Sequence, residues 1–108
     1  MSTYIRSLDP FHLITLGDEG FFNEPNQTDW PYAGGDGVDF KANLGLKNLN
    51  FGTFHLYPDW WSETVDWATQ YIKDHATAMR GAGKPVIMEE VSNAQSNRAL
   101  LTLLICCS

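Results

Sequence analysis

Cysteine is almost missing from this 108-residue chain: Cys106 and Cys107 are the only two, adjacent and within the last three residues. Neighbouring cysteines are poor partners for each other in an ordinary disulfide, so no disulfide framework and no thiolate metal site is expected. Basic charge is also scarce. Seven Lys and Arg against 13 Asp and Glu leave a formal net charge of -6, with no basic cluster to offset it. That excludes nucleic acid as a partner, because a polyanion needs a positive surface. No apolar run approaches the roughly 18 residues of a membrane span, which excludes a spanning role. The three histidines, His12, His55 and His75, lack ligand spacing, and neither a phosphate-binding glycine loop nor a Ser/His/Asp grouping is present. No metal and no cofactor is implied. The first ten residues lack the basic and apolar regions of a signal peptide. They read instead as the end of a helix stopped before Pro10, in a chain expected to have lost what precedes it.

Aromatic residues are abundant: four Trp, four Tyr and six Phe, the composition of a packed protein. His12–Leu16 reads as a short strand followed by the Gly17-Asp18-Glu19-Gly20 turn, and residues 21–37 as a long irregular loop of the kind that carries binding function. Asn26-Gln27-Thr28 in that loop is a glycosylation sequon. Residues 38–46 suggest a short helix and 51–56 a strand. Ser62 is expected to cap the next helix, with Glu63 in its first turn. Ala68, Tyr71, Ile72, Ala76 and Met79 fall on one helical face, and Gly81 or Gly83 ends the helix before a strand begins at Val86. Strands alternating with helices give an α/β chain with a parallel sheet, about three strands in all. A (β/α)8 barrel takes about 250 residues, so the chain reads as a partial barrel. The expected division is a partial barrel over 1–91 and an unrelated tail over 92–108, polar and then apolar without pattern, attributed to a frame or splicing artefact.

Chemically capable side chains gather at the carboxyl ends of two strands, the edge where such folds keep their active sites. Glu89 and Glu90 end the strand after Val86-Ile87-Met88. Alternation allows only one of them to face the barrel mouth, where a carboxylate can act as nucleophile or acid/base on a sugar acetal. His55 and Tyr57, two apart, share one face; they are either a satisfied core pair or groups that orient a nearby carboxylate. Trp60 and Trp61 suit stacking on pyranose rings, with at least one expected to be core. Trp67 and His75 are expected to serve packing. Glu24, in Asn23-Glu24-Pro25, spells a tripeptide known from retaining glycosidases, but no strand leads into it, and it is read as coincidence.

Three blocks, His12–Gly20, Phe51–Asp59 and Gly83–Glu90, taken together and in order, resemble fungal endo-β-1,4-mannanases of glycoside hydrolase family 5, where they form the fifth, sixth and seventh strands of a (β/α)8 barrel. The resemblance implies Glu90 as the catalytic nucleophile. It implies His55, Tyr57, Trp61 and Glu19 as substrate-binding residues, and Trp60 joins them on its chemistry. It also implies retaining hydrolysis of β-1,4-mannan without a cofactor, a mannan-type polysaccharide as the partner, and an extracellular, monomeric parent. The family's acid/base lies on strand four, which has no counterpart here, and the aromatic-Gly pair expected after the nucleophile is Val91-Ser92. The isolated chain is therefore expected to be inactive. The alternatives are a non-catalytic fragment with weak carbohydrate binding through Trp60, Trp61 and Trp30, or a family 5 β-glucanase or cellulase.

Overall fold

The computed structural model describes residues 1–92; the expected tail lies beyond these apart from Ser92. Five elements follow in order: α1 (Ser2–Leu8), α2 (Phe40–Leu44), β1 (Gly52–Leu56), α3 (Val65–Ala82) and β2 (Val86–Val91). β1 and β2 pair in parallel with α3 as their crossover, a single βαβ unit of an α/β fold. Among the described residues no helix is long and apolar enough to cross a membrane.

The sheet has two strands where about three were expected. Residues 14–19 do run beside β1, but side chains and isolated backbone bonds tie them there in place of a regular ladder. Asn50 N–H donates to the Ile14 carbonyl at 2.8 Å and His55 N–H to the Glu19 carbonyl at 3.2 Å. Between these, the Thr53 hydroxyl takes the Leu16 carbonyl at 2.7 Å and the Thr15 hydroxyl takes the Phe51 carbonyl at 2.8 Å. Hydroxyl groups thus occupy carbonyls that backbone N–H groups would otherwise use.

α3 begins two residues later than the sequence suggested. The chain from Pro58 to Glu63 first closes its own turn, with Glu63 N–H donating to the Pro58 carbonyl at 2.8 Å and Ser62 at φ +62°. A residue in that left-handed conformation cannot take the extended geometry of a cap. The next hydroxyl, that of Thr64, accepts from Trp67 N–H at 3.1 Å instead. At the other end Gly83 adopts φ +64° and its N–H returns to the Met79 carbonyl, the left-handed stop that glycine permits. Lys84 then reaches back to the Leu44 and Leu46 carbonyls at 2.7 and 2.6 Å, capping α2.

The core lies between the sheet and the helices. Phe54, Leu56, Val86 and Met88 pack against Tyr71 and Met79 of α3 and Phe40 and Leu44 of α2. His75 sits in the middle of this layer, wholly buried, its ring stacked on Phe54 at 3.9 Å. Burial drives its pKa down to about 4, against the pull of the Tyr71 and Gly20 carbonyls facing its two nitrogens.

The segment 21–37 is a long loop without a regular element, as expected, and it is tied down by specific contacts. Asn23 and Ala33 form an antiparallel bridge, and Tyr32 stacks flat on Phe22 at 5.1 Å. Two carboxylates then fasten the segment and α3 together: Tyr32 hydroxyl to Asp74 and Trp67 indole N–H to Asp29, each 2.6 Å.

Candidate active site

The carboxyl end of β2 contains a bulge. Phe54 pairs with Met88, but the next residue of β1, His55, pairs with Glu90, leaving Glu89 as the extra residue. The packing explains why. Val86 and Met88 face α3 and, three residues on, Val91 does so as well, sharing a recess with Leu56, Ala68 and Ile72. A strict two-residue alternation cannot place 86, 88 and 91 on one face; one residue must be absorbed. As a result both Glu89 and Glu90 reach side chains on the opposite face. The expectation that only one of them could face the site is corrected on this ground.

On that face the Tyr57 hydroxyl donates to a Glu90 carboxylate oxygen. The hydrogen bond to Glu90, together with partial desolvation and the charges of Glu90 and Glu19, pushes the Tyr57 phenol up to about 12. The phenol therefore stays protonated and continues to donate. His55 lies between two further carboxylates. Its Nδ1 is 3.2 Å from Glu19 and its Nε2 3.5 Å from Glu89. The His55 and Tyr57 rings meet edge to face at 6.1 Å. Every residue of this group is open or half-open to solvent, in contrast to the layer behind it.

Glu19 is delivered by Gly20. Gly20 has φ +78°, and a Cβ built on it would lie 2.4 Å from Phe54 Cβ, so only glycine allows this approach to β1. Asp18 accepts from Gly20 N–H at 2.9 Å, and the Gly20 carbonyl receives His75 Nε2 and the Tyr71 hydroxyl at 2.9 and 3.3 Å.

The two tryptophans after β1 differ in exposure; at least one was expected in the core, and Trp61 packs against it only partly buried. Trp60 is 80 % exposed and stacks on the Tyr57 ring at 5.7 Å and 26°. Trp61 is half-buried and meets Phe21, Trp30, Trp67 and Tyr71 edge-on as well as Tyr57. Glu24 is set apart from this group and pairs with Lys41 of α2. The structure thus gathers Glu19, His55, Tyr57, Trp60 and Glu90, with Trp61 behind them. Glu89 is the member that sequence reasoning left out. Its signal was present in the apolar spacing 86, 88, 91.

Comparison with known proteins gives a consistent picture. Residues 1–102 match the model of a family described as GH family 5 beta-mannosidase-like. The chain is 59 % identical over 90 residues to the probable mannan endo-1,4-beta-mannosidase C of Aspergillus terreus, covering 83 % of the chain and 22 % of that relative. It is 58 % identical over 90 residues to mannan endo-1,4-beta-mannosidase A of Podospora anserina, covering 83 % of the chain and 24 % of the relative. The crystal structure of an endo-1,4-beta-mannanase from Rhizomucor miehei superposes with a TM-score of 0.82 at 54 % identity, over 86 % of this chain and 27 % of that one. The chain spans about a quarter of the length of these relatives.

Proposed function

Because the chain belongs to the glycoside hydrolase family 5 β-mannosidase-like family, we propose that it carries the nucleophile side of a retaining endo-β-1,4-mannanase site, with Glu90 as the nucleophile. The observation that supports this reading best is the Tyr57–Glu90 hydrogen bond at the carboxyl end of a parallel strand, on the open face of the sheet. A hydroxyl that donates to a carboxylate oxygen orients that carboxylate.

Glu90 attacks the anomeric carbon, forming a glycosyl ester as the bond to the leaving sugar oxygen breaks. A carboxylic acid about 5–5.5 Å away protonates that oxygen and afterwards, as base, activates the water that cleaves the ester. The family resemblance assigns this second group to strand four, outside these 108 residues. Glu19 and His55 line the sugar position next to Glu90. The exposed Trp60 ring offers a face for C–H stacking, with Trp61 supporting it. The chemistry needs no metal or organic cofactor. The substrate class is mannan, glucomannan or galactomannan, in an extracellular setting.

The test uses a substrate that needs no acid. A 2-deoxy-2-fluoro-β-mannobioside carrying dinitrophenolate, a leaving group stable as an anion, should form an ester on the chain without a proton donor. Tandem mass spectrometry is expected to place the added mass on Glu90 and to find none in Glu90→Gln. Labelling at another carboxylate, or equal labelling of the variant, would overturn the assignment.

A further inference from the structure

We propose that Glu89, turned onto the site face by the bulge in β2, is a positioning residue that fixes the imidazole of His55 from the side opposite Glu19. The significance of this clamp for sugar binding rests on the function proposed above; the clamp itself rests on geometry. His55 has a different carboxylate near each ring nitrogen, Glu19 at 3.2 Å from the segment 17–20 and Glu89 at 3.5 Å from β2. A single contact would leave the ring free to swing about that bond. Carboxylates beside both nitrogens fix its plane when the ring carries both N–H groups, each donating to its own carboxylate.

The backbone reinforces both sides of the clamp. Glu19 is held by its own carbonyl, which accepts the His55 backbone N–H, and by the close seat of Gly20 against Phe54. Glu89 is held by the register, since His55 pairs with Glu90 and leaves the extra residue alongside. The fixed imidazole then borders Tyr57 at 6.1 Å, and the Tyr57 hydroxyl binds Glu90. Positioning therefore runs from Glu89 through His55 to the Tyr57–Glu90 pair. A strictly alternating strand would have aimed Glu89 or Glu90 into the core and lost one of these contacts.

The two nitrogens of a histidine ring are chemically distinct and can be observed separately by ¹⁵N NMR. In the 108-residue chain, Glu89→Leu is expected to shift the Nε2 resonance of His55, and Glu19→Gln the Nδ1 resonance. Glu89→Gln, which keeps an acceptor oxygen, should restore much of the Nε2 position. His12 and His75 serve as internal references, because Asp9 and the Tyr71 and Gly20 carbonyls hold them elsewhere. Titration with mannohexaose should show several-fold weaker binding for Glu89→Leu than for Glu89→Gln. An unmoved Nε2 resonance in Glu89→Leu would overturn the proposal, as would equal movement of all three histidines, which reports general loss of structure. If the unaltered chain binds no manno-oligosaccharide while the nitrogen pattern holds, the functional reading fails and the clamp stands.

Discussion

The two faces of the β1–β2 sheet differ in almost every respect. Behind it, Phe54, Leu56, Val86 and Met88 are sealed against α2 and α3, with Tyr71 and His75 fully enclosed. In front, His55, Tyr57, Glu89 and Glu90 stand open or half-open, joined by polar contacts. The same two strands serve both, and the side-chain period of two, broken once at the bulge, separates them. Apolar packing is therefore concentrated behind the sheet and the polar contacts in front of it. Substitutions on the two sides should have effects of different size and kind.

The sharpest contrast is between Phe54→Ala and Tyr57→Phe. Emptying the Phe54 site should cost about 3–5 kcal/mol, whereas removing one exposed hydroxyl should stay within about 0.5 kcal/mol. Urea unfolding followed by circular dichroism measures both; similar losses would erase the distinction between the faces. Gly20→Ala connects the two sides. It forces a Cβ onto Phe54 and a side chain into a left-handed backbone, so about 3 kcal/mol or more should be lost. The Glu19–His55 contact should loosen with it, seen as a shift of the His55 Nδ1 resonance.

His75 tests the rear face by pH. Its folded pKa, about 4, lies below its ordinary value of 6.5. The folded state therefore binds that proton more weakly than the unfolded state. This contribution is complete above about pH 6.5 and declines as pH falls, by roughly 3 kcal/mol at pH 4. Unfolding free energies that stayed flat between pH 7 and 4.5 would contradict the buried, neutral ring. The smallest effect belongs to the front face. Tyr57 should ionise near 12, and Glu90→Gln should return it toward 10 with little change in stability. Phenolate absorbance during alkaline titration reads this directly, and an unshifted midpoint in the variant would remove the Tyr57–Glu90 bond from the site.

Much of this arrangement was legible in the sequence, and the misses share a cause. The order of strand, helix and strand, a stop at Gly81 or Gly83, and the placement of Tyr71 and Met79 follow from periodicity and from residues with strong local preferences, whereas the grouping of His55 and Tyr57 with Glu90 was implied by the family resemblance. Ser62 was expected to cap α3 because capping statistics do not see the turn that Pro58 and Glu63 close first. Residues 12–16 were expected to form a regular strand because the pattern cannot show that Thr15 and Thr53 hydroxyls would take over carbonyls. Segment 21–37 is the irregular loop expected, but its anchoring was not legible, because it comes from Tyr32–Asp74 and Trp67–Asp29, pairs separated by 42 and 38 positions. His75 was assigned to packing correctly. Its central place in the core was less visible, since a polar ring interrupts an apolar stripe.

The bulge at Glu89 makes the spacing of β2 intolerant of small changes in length. Between Met88 and Val91 the strand holds one residue more than its pleat requires, and both carboxylates depend on that surplus. A lineage that deleted one codon here would regain a regular strand and keep Val91 in its recess, while losing one of the two glutamates from the open face. A lineage that inserted one would make the interval four, which a regular pleat also accommodates, but only by turning one of the intervening residues into the core. Among relatives of this chain, the three-residue interval between the two buried positions should therefore vary far less than the identities of the residues that fill it.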